Sequence, residues 1–247
     1  MIILRNIQII IEYDGTNYVG WQIQKNGLSI QEVIESSLKM ALGEKIKLVG
    51  SSRTDSGVHA YGQSANFFTD CGIPSDRIPY ALNTHLPKDI RIVHAYEKPM
   101  EFHSRYDARG KVYLYKVLCS QHASALERHR VWHIKSSVNI NNIQDALPYF
   151  IGTMDFTAFS STHTHTKNRV RTVRRLEMER IGGSMLFTIE GDGFLYNMVR
   201  IIIGTIMDIG LCKFQTKDIP DMIQNKDRNK TGKTAPAQGL YLKEVLY

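Results

Sequence analysis

Ile7, Ile9, Ile11 and Tyr13 recur at every second position of NIQIIIEY and are followed by Asp14-Gly15, the pattern of a half-buried strand ending in a turn. From Ser29 the period changes. Ile30, Val33, Ile34, Leu38, Ala41 and Leu42 follow helical spacing, Ser29 and Glu32 stand at capping-box positions, and Gly43 supplies a left-handed stop, so a helix is predicted over 29–42. Strands are predicted over 46–51 and 62–69, a short helix over 75–83 that Pro79 shortens or kinks, and a strand over 90–97. The resulting order, β-α-β-β-α-β, is that of a ferredoxin-like unit.

The same order is predicted a second time. It comprises a strand at 111–119, a helix at 141–151, strands at 171–179 and 184–190 joined through Gly182-Gly183, a helix at 197–210 and a strand at 240–246. No residue-level repeat accompanies it, so the duplication rests on element order alone. The expected fold class is α+β: two ferredoxin-like halves, residues 1–105 and 106–247, with the seam near 98–110. Edge-to-edge joining would give one continuous, mainly antiparallel sheet with a cleft between the halves.

Composition narrows the class. The 247 residues suit one large domain or two small ones, and 43% hydrophobic with 22% charged residues excludes a disordered chain. The balance of 31 − 24 = +7 suits a polyanionic partner. Cys71, Cys119 and Cys212 are odd in number and lack C-x-x-C spacing, which supports neither a disulfide framework nor a thiolate zinc site and fits a reducing compartment. Arg5 and Glu12 interrupt the apolar start, so no secretory signal is expected. The apolar stretch 198–211 contains Arg200 and Asp208 and is too short for a membrane span. A soluble, cytoplasmic protein is expected.

Candidate chemistry concentrates between two predicted strands, in GSSRTDSGVHA over 50–60. Small residues there let backbone approach a ligand, and Arg53 and Asp55, two apart, are spaced to pair so that the guanidinium keeps the carboxylate ionised. A plain Asx-type turn with Arg53 facing solvent is the alternative. Tyr113 and Tyr115 share a face of the 111–119 strand, where aromatic residues are ordinarily core. From His163 to Arg175 there are five Lys or Arg and no acid, with Arg169 and Arg171 spaced to point to one side of a strand, as phosphate binding would need. Lys226, Arg228, Lys230 and Lys233 make a second basic run; for both, solvated surface is the plain alternative. His163-x-His165 has no accompanying carboxylate or cysteine, so no metal site is expected. Gly191-Asp192-Gly193 lacks the spacing of a nucleotide-binding loop.

GSSRTDSGVHAYGQ resembles the G-R-T-D-x-G-V-H-A-x-x-Q signature of the tRNA pseudouridine synthase A family. The similarity continues in IEYDGTNYVGWQIQ, SIQEVIESSL, LPKDIRI, FHSRYDARGKVYLYKV, DFTAF, GDGFLYNMVRIIIGTIMDIG and KDRNKTGKTAPAQGLYL, and so covers nearly the whole chain. Ser51-Ser52 and Ser56 are mild departures that leave the charged positions intact. The resemblance implies two ferredoxin-like halves around a basic cleft, a homodimer, and isomerisation of uridine to pseudouridine at positions 38–40 of the tRNA anticodon stem-loop, with no cofactor. It also implies Asp55 as the catalytic carboxylate, with Arg53, Tyr113 and Arg200 binding substrate and Arg200 set against the aspartate. Three alternatives stay open: a tandem RNA-binding module without chemistry, a paralogue acting at another RNA site, and a base-removing glycosylase. The first is disfavoured because QSANFFT lacks paired ribonucleoprotein aromatics.

Overall fold

The computed structural model describes residues 4–162 and 166–247. His163 and His165 therefore lie outside the described residues. The chain divides into two compact units, one running to Arg109 and taking in Tyr241–Tyr247, the other spanning Gly110–Leu240.

The first unit carries β1 (Arg5–Tyr13), α1 (Ile30–Leu42), β2 (Val49–Gly50), β3 (His59–Thr69), α2 (Ile78–Asn83) and β4 (Ile90–Lys98), in the predicted order. β1 lies between β3 and β4 and runs antiparallel to both. Helix α1 starts where Ser29 Oγ accepts the Glu32 N–H at 3.3 Å, and stops where Gly43, at φ 75°, donates to the Lys39 carbonyl. Ile7, Ile9 and Ile11 of β1 and Ile30, Ile34 and Leu38 of α1 are all fully buried, each contributing about 1.5–3 kcal/mol. Pro79 occupies the first turn of α2, where its missing N–H costs nothing, so it starts the helix and does not kink it. The preceding residues, 75–77, form a 3₁₀ turn.

β2 is shorter than the strand predicted over 46–51 and β3 begins at His59, ahead of the predicted 62; two segments pair along this edge of β3. Val49 and Gly50 of β2 pair with Asn66 and Ala65, so the strand predicted over 46–51 is reduced to two residues. Nearer the start of β3, Tyr241 and Leu242 pair in parallel with His59 and Ala60. The face of β1 that alternation assigned to water is also covered. Asn6 and Gln8 are buried and hydrogen-bonded, Asn6 Nδ2 to the Phe102 carbonyl at 2.8 Å and Gln8 Nε2 to Ser64 Oγ at 2.9 Å. Tyr247 closes this network, with its hydroxyl 2.7 Å from Ser64 Oγ and 2.8 Å from the Ser104 carbonyl. Burial pushes the Tyr247 phenol above its ordinary pKa, against the opposing pull of these hydrogen bonds.

The second unit contains β5 (Gly110–Cys119), β6 (Trp132–Ile134), α3 (Ile140–Ala146), β7 (Gly152–Asp155), β8 (Val170–Ile181), β9 (Ser184–Gly191), α4 (Met198–Gly210) and α5 (Ile219–Asn225). Its strands run β5-β9-β8-β7, each antiparallel to the next, with β6 parallel to β5. The helix predicted over 141–151 ends as an α-helix at Ala146 because Pro148 supplies no N–H; residues 147–150 continue as a 3₁₀ turn. In α4 every residue except Arg200 is buried. β6, β7 and α5 were not predicted, being too short to show a period. The last strand, β10 (Leu240–Leu246), was expected to close the second half, yet Tyr241 onward clusters with the first unit through its pairing with β3. No helix among the described residues is long and apolar enough to cross a membrane.

Candidate active site

In the first unit, Asp55 is half-buried in the loop between β2 and β3, and the segment 13–21 grips that loop. Trp21 N–H donates to the Thr54 carbonyl at 3.1 Å, and the Tyr13 hydroxyl lies 2.7 Å from Thr54 Oγ1. Ser56 Oγ donates to the Tyr18 carbonyl at 3.1 Å, and Gln63 Nε2 to the Ser52 carbonyl at 2.9 Å. Within the loop, the Val58 N–H closes a turn onto the Asp55 carbonyl at 3.1 Å. Gly20 has φ 107°, and a Cβ there would lie 2.5 Å from the Thr54 oxygen, so only glycine allows this approach. The backbone on either side of Asp55 is thus fixed from three directions before any substrate arrives.

Arg53 does not behave as its spacing suggested. It is exposed, and among the described residues it forms no ion pair with Asp55. Its two neighbours, Ser52 and Thr54, are both buried, and the extended backbone between them turns position 53 outward.

In the second unit, Tyr113 and Tyr115 lie on one face of β5, both buried. Tyr113 meets Phe194 edge to face at 5.3 Å. Tyr115 donates to the Pro236 carbonyl at 2.7 Å; burial pushes its phenol far above the ordinary range, and the nearby Arg200 charge only partly opposes this. Arg200 is held at both ends. Its Nε donates to the Ala235 carbonyl at 2.7 Å while its own carbonyl accepts the Ala235 N–H at 3.0 Å, and its Nη1 donates to Asn197 Oδ1 at 2.8 Å. Asn197 stands in a left-handed conformation at φ 61° and passes its Nδ2 hydrogen to Ser161 Oγ at 2.8 Å. A guanidinium cannot accept a hydrogen bond, which fixes the orientation of the amide.

The 228–236 segment that supplies Ala235 lies directly on α4. A Cβ at Gly232 would lie 2.5 Å from Thr205 Cα, Gly232 N–H donates to Thr205 Oγ1 at 3.0 Å, and buried Asp208 accepts the Lys233 N–H at 3.2 Å while pairing with Lys213 Nζ at 2.9 Å. Close backbone approach at glycine therefore sets the position of the arginine clamp.

The basic stretches are less open than their composition suggested. Arg169 lies just ahead of β8, with its carbonyl accepting the Phe156 N–H at 3.1 Å, and Arg171 folds its Nη1 back onto the Asn168 carbonyl at 3.0 Å. Glu190 of β9 sits 3.7 Å from Arg174 and 3.5 Å from Arg175, a pairing across strands that a linear count of charge does not see. Lys226 pairs with Asp155 at 2.7 Å. Sequence reading missed Tyr13, Gly20, Trp21, Asn197 and Ala235 as supports of the site. The only signal for them was their place inside the resembling blocks.

A family model described as tRNA pseudouridine synthase matches residues 9–107 and 146–247, which takes in the Asp55 loop and the Arg200 clamp. The chain belongs to this tRNA pseudouridine synthase family. Among curated relatives it is 52% identical over 244 residues to tRNA pseudouridine synthase A of Acetivibrio thermocellus, covering 99% of this chain and 100% of that one. It is 49% identical over 245 residues to the protein of that name from Ruminiclostridium cellulolyticum, again covering 99% and 100%.

Proposed function

We propose that this protein isomerises uridine to pseudouridine in tRNA, at positions 38–40 of the anticodon stem-loop, as a cytoplasmic homodimer. The observation that carries the reading is Asp55: a half-buried carboxylate in a loop pinned by Trp21, Tyr13 and Tyr18, within the family's R-T-D block. The bond between N1 of uracil and C1′ breaks, the detached base turns, C5 bonds to C1′, and the proton lost from C5 is balanced by one gained at N1. No atom is gained or lost overall. Asp55 supplies the carboxylate that acts on the sugar or the uracil ring.

Tyr113 and Arg200 are read as substrate-binding residues, and Arg53, exposed and without an ion pair among the described residues, as a contact to RNA. Extruding a stem uridine costs a few kcal/mol, which cationic contacts to the backbone offset. The test is Asp55→Asn on tRNA labelled with tritium at uracil C5. The variant is expected to bind tRNA and keep its fold while releasing no tritium. Release at the parental rate overturns the assignment, and loss of mass from the nucleoside in place of isomerisation points to a glycosylase.

A further inference from the structure

Beside the Arg200 clamp, the second unit holds a cavity of about 560 Å³ lined by Arg228, Lys233, Ser161, Thr162, Tyr196 and Asn229, among others, and by no carboxylate among the described residues. Arg228 is set into its wall. Nη1 donates to Thr231 Oγ1 at 2.7 Å and to the Gly232 carbonyl at 2.9 Å, and Nη2 donates to Thr234 Oγ1 at 2.9 Å. All three acceptors are neutral. The guanidinium carries five N–H groups, so these bonds leave Nε–H and one Nη2 hydrogen without a partner among the described residues. Among the described residues no carboxylate pairs with Arg228, and burial depresses its pKa. The other cation, Lys233, is exposed, and its Nζ stands 4.8 Å from the centre of the Trp132 ring. Nearby acids are already engaged: Asp208 by Lys213, and Asp227 by the Asn229 N–H at 2.9 Å.

A rigid, half-desolvated guanidinium, a movable ammonium and several hydroxyls around an acid-free hollow make a site for a tetrahedral oxyanion. We infer that this cavity binds one phosphodiester of the RNA substrate. The inference rests on the reading of RNA as substrate given above. Asn197, which also lines the cavity, hydrogen-bonds Arg200, so the bound phosphate belongs to a nucleotide near the one being modified. The fork of Arg228 provides direction, and Lys233 provides most of the ion exchange because it lies open to solvent.

The test measures dissociation constants of the full-length protein for unmodified tRNA across a series of KCl concentrations. Lys233→Gln and Arg228→Lys are compared with Lys226→Gln, which removes a charge outside the lining. One lost phosphate contact lowers the salt slope by about 0.7–0.9. Lys233→Gln is expected to show that drop with roughly three- to tenfold weaker binding. Arg228→Lys keeps the charge but not the fork, and is expected to weaken binding with little change in slope. Lys226→Gln is expected to match the parent.

A second arm replaces chloride by inorganic phosphate at constant ionic strength. Phosphate competing with tRNA for the parent but less for Lys233→Gln supports the site. Competition without any slope change in Lys233→Gln assigns the hollow to free phosphate and overturns the inference, as does an equal slope loss in Lys226→Gln. Melting curves accompany every variant, and if Arg228→Lys unfolds early the exposed Lys233 still decides. Tritium release by the parent is read in the same samples. Normal release with an unchanged slope defeats only this subsite, whereas no release defeats the isomerase reading itself.

Discussion

Asn197 joins Ser161 to Arg200, donating to one and accepting from the other at 2.8 Å each, and does so from a backbone with φ 61°. This separates stability from function. Asn197→Gly suits the left-handed backbone but removes the bridge, so melting should hold close to the parent while turnover falls about ten- to a hundredfold through misplacement of the guanidinium. Asn197→Ala should lose both, because alanine at positive φ adds roughly 1 kcal/mol of strain. A glycine variant with parental turnover would show that Arg200 does not depend on this bond.

Tyr13→Phe removes the hydroxyl that meets Thr54 Oγ1 beside Asp55. Both groups are buried, so the expected loss is about 1 kcal/mol in chemical denaturation. Turnover should fall more than tRNA affinity, because the change loosens the loop that carries the carboxylate and leaves cationic contacts alone. Equal falls in both would show that the loop keeps its position without this bond.

Gly232→Ala forces a methyl to within 2.5 Å of Thr205 Cα and 2.7 Å of Thr205 N, in backbone that cannot swing aside. Overpacking of this kind costs about 1–3 kcal/mol. Calorimetry should register it as a lowered melting temperature, with activity falling as well because Ala235 shifts with its loop. Gly72→Ala, where a Cβ meets nothing within 4 Å, is the matched control and should be neutral.

Acid should weaken the second unit through Asp155. Its burial opposes ionisation, but the Lys226 ammonium and the Thr157 hydroxyl and amide prevail and hold the carboxyl below its ordinary pKa of 3.8. A depressed folded pKa means the contribution is complete above the ordinary value and disappears as pH falls through the folded one. Lys226 is more than half exposed, so the pair is worth less than about 1 kcal/mol. The stability difference between parent and Lys226→Met should therefore be small and flat from pH 7 to 5, then close on further acidification. A gap that widens below pH 3.8 would contradict this sign.

Where one face of an element meets core and the other meets something polar, the sequence pattern located it well. α1 was readable from its two caps and its Ile-Ile-Leu stripe, and the hairpin of β8 and β9 from Gly182-Gly183. Partners distant in sequence were not readable. Nothing local indicates that Tyr241 pairs with His59, that Glu190 neutralises Arg174 and Arg175, or that Asn6 and Gln8 face buried amides and hydroxyls in place of water. The candidate site follows the same rule. Asp55, Tyr113 and Arg200 were named from the resembling blocks, whereas the supports that hold them are backbone carbonyls and glycines whose role depends on which segment lies opposite. Arg53 shows the limit of spacing arguments, since two residues apart in a loop is no guarantee of facing one another.

Synthesis imposes a delay on the unit that carries Asp55. Tyr247 reaches Ser64 across 183 residues, and Tyr241 flanks β3 close to the start of that same strand. At about 5–20 residues per second, a ribosome leaves that flank of β3 bare for roughly 10 to 40 seconds after the strand has emerged. During that interval the nascent chain displays unpaired amides beside the Asp55 loop, open to mispairing with another emerging polypeptide.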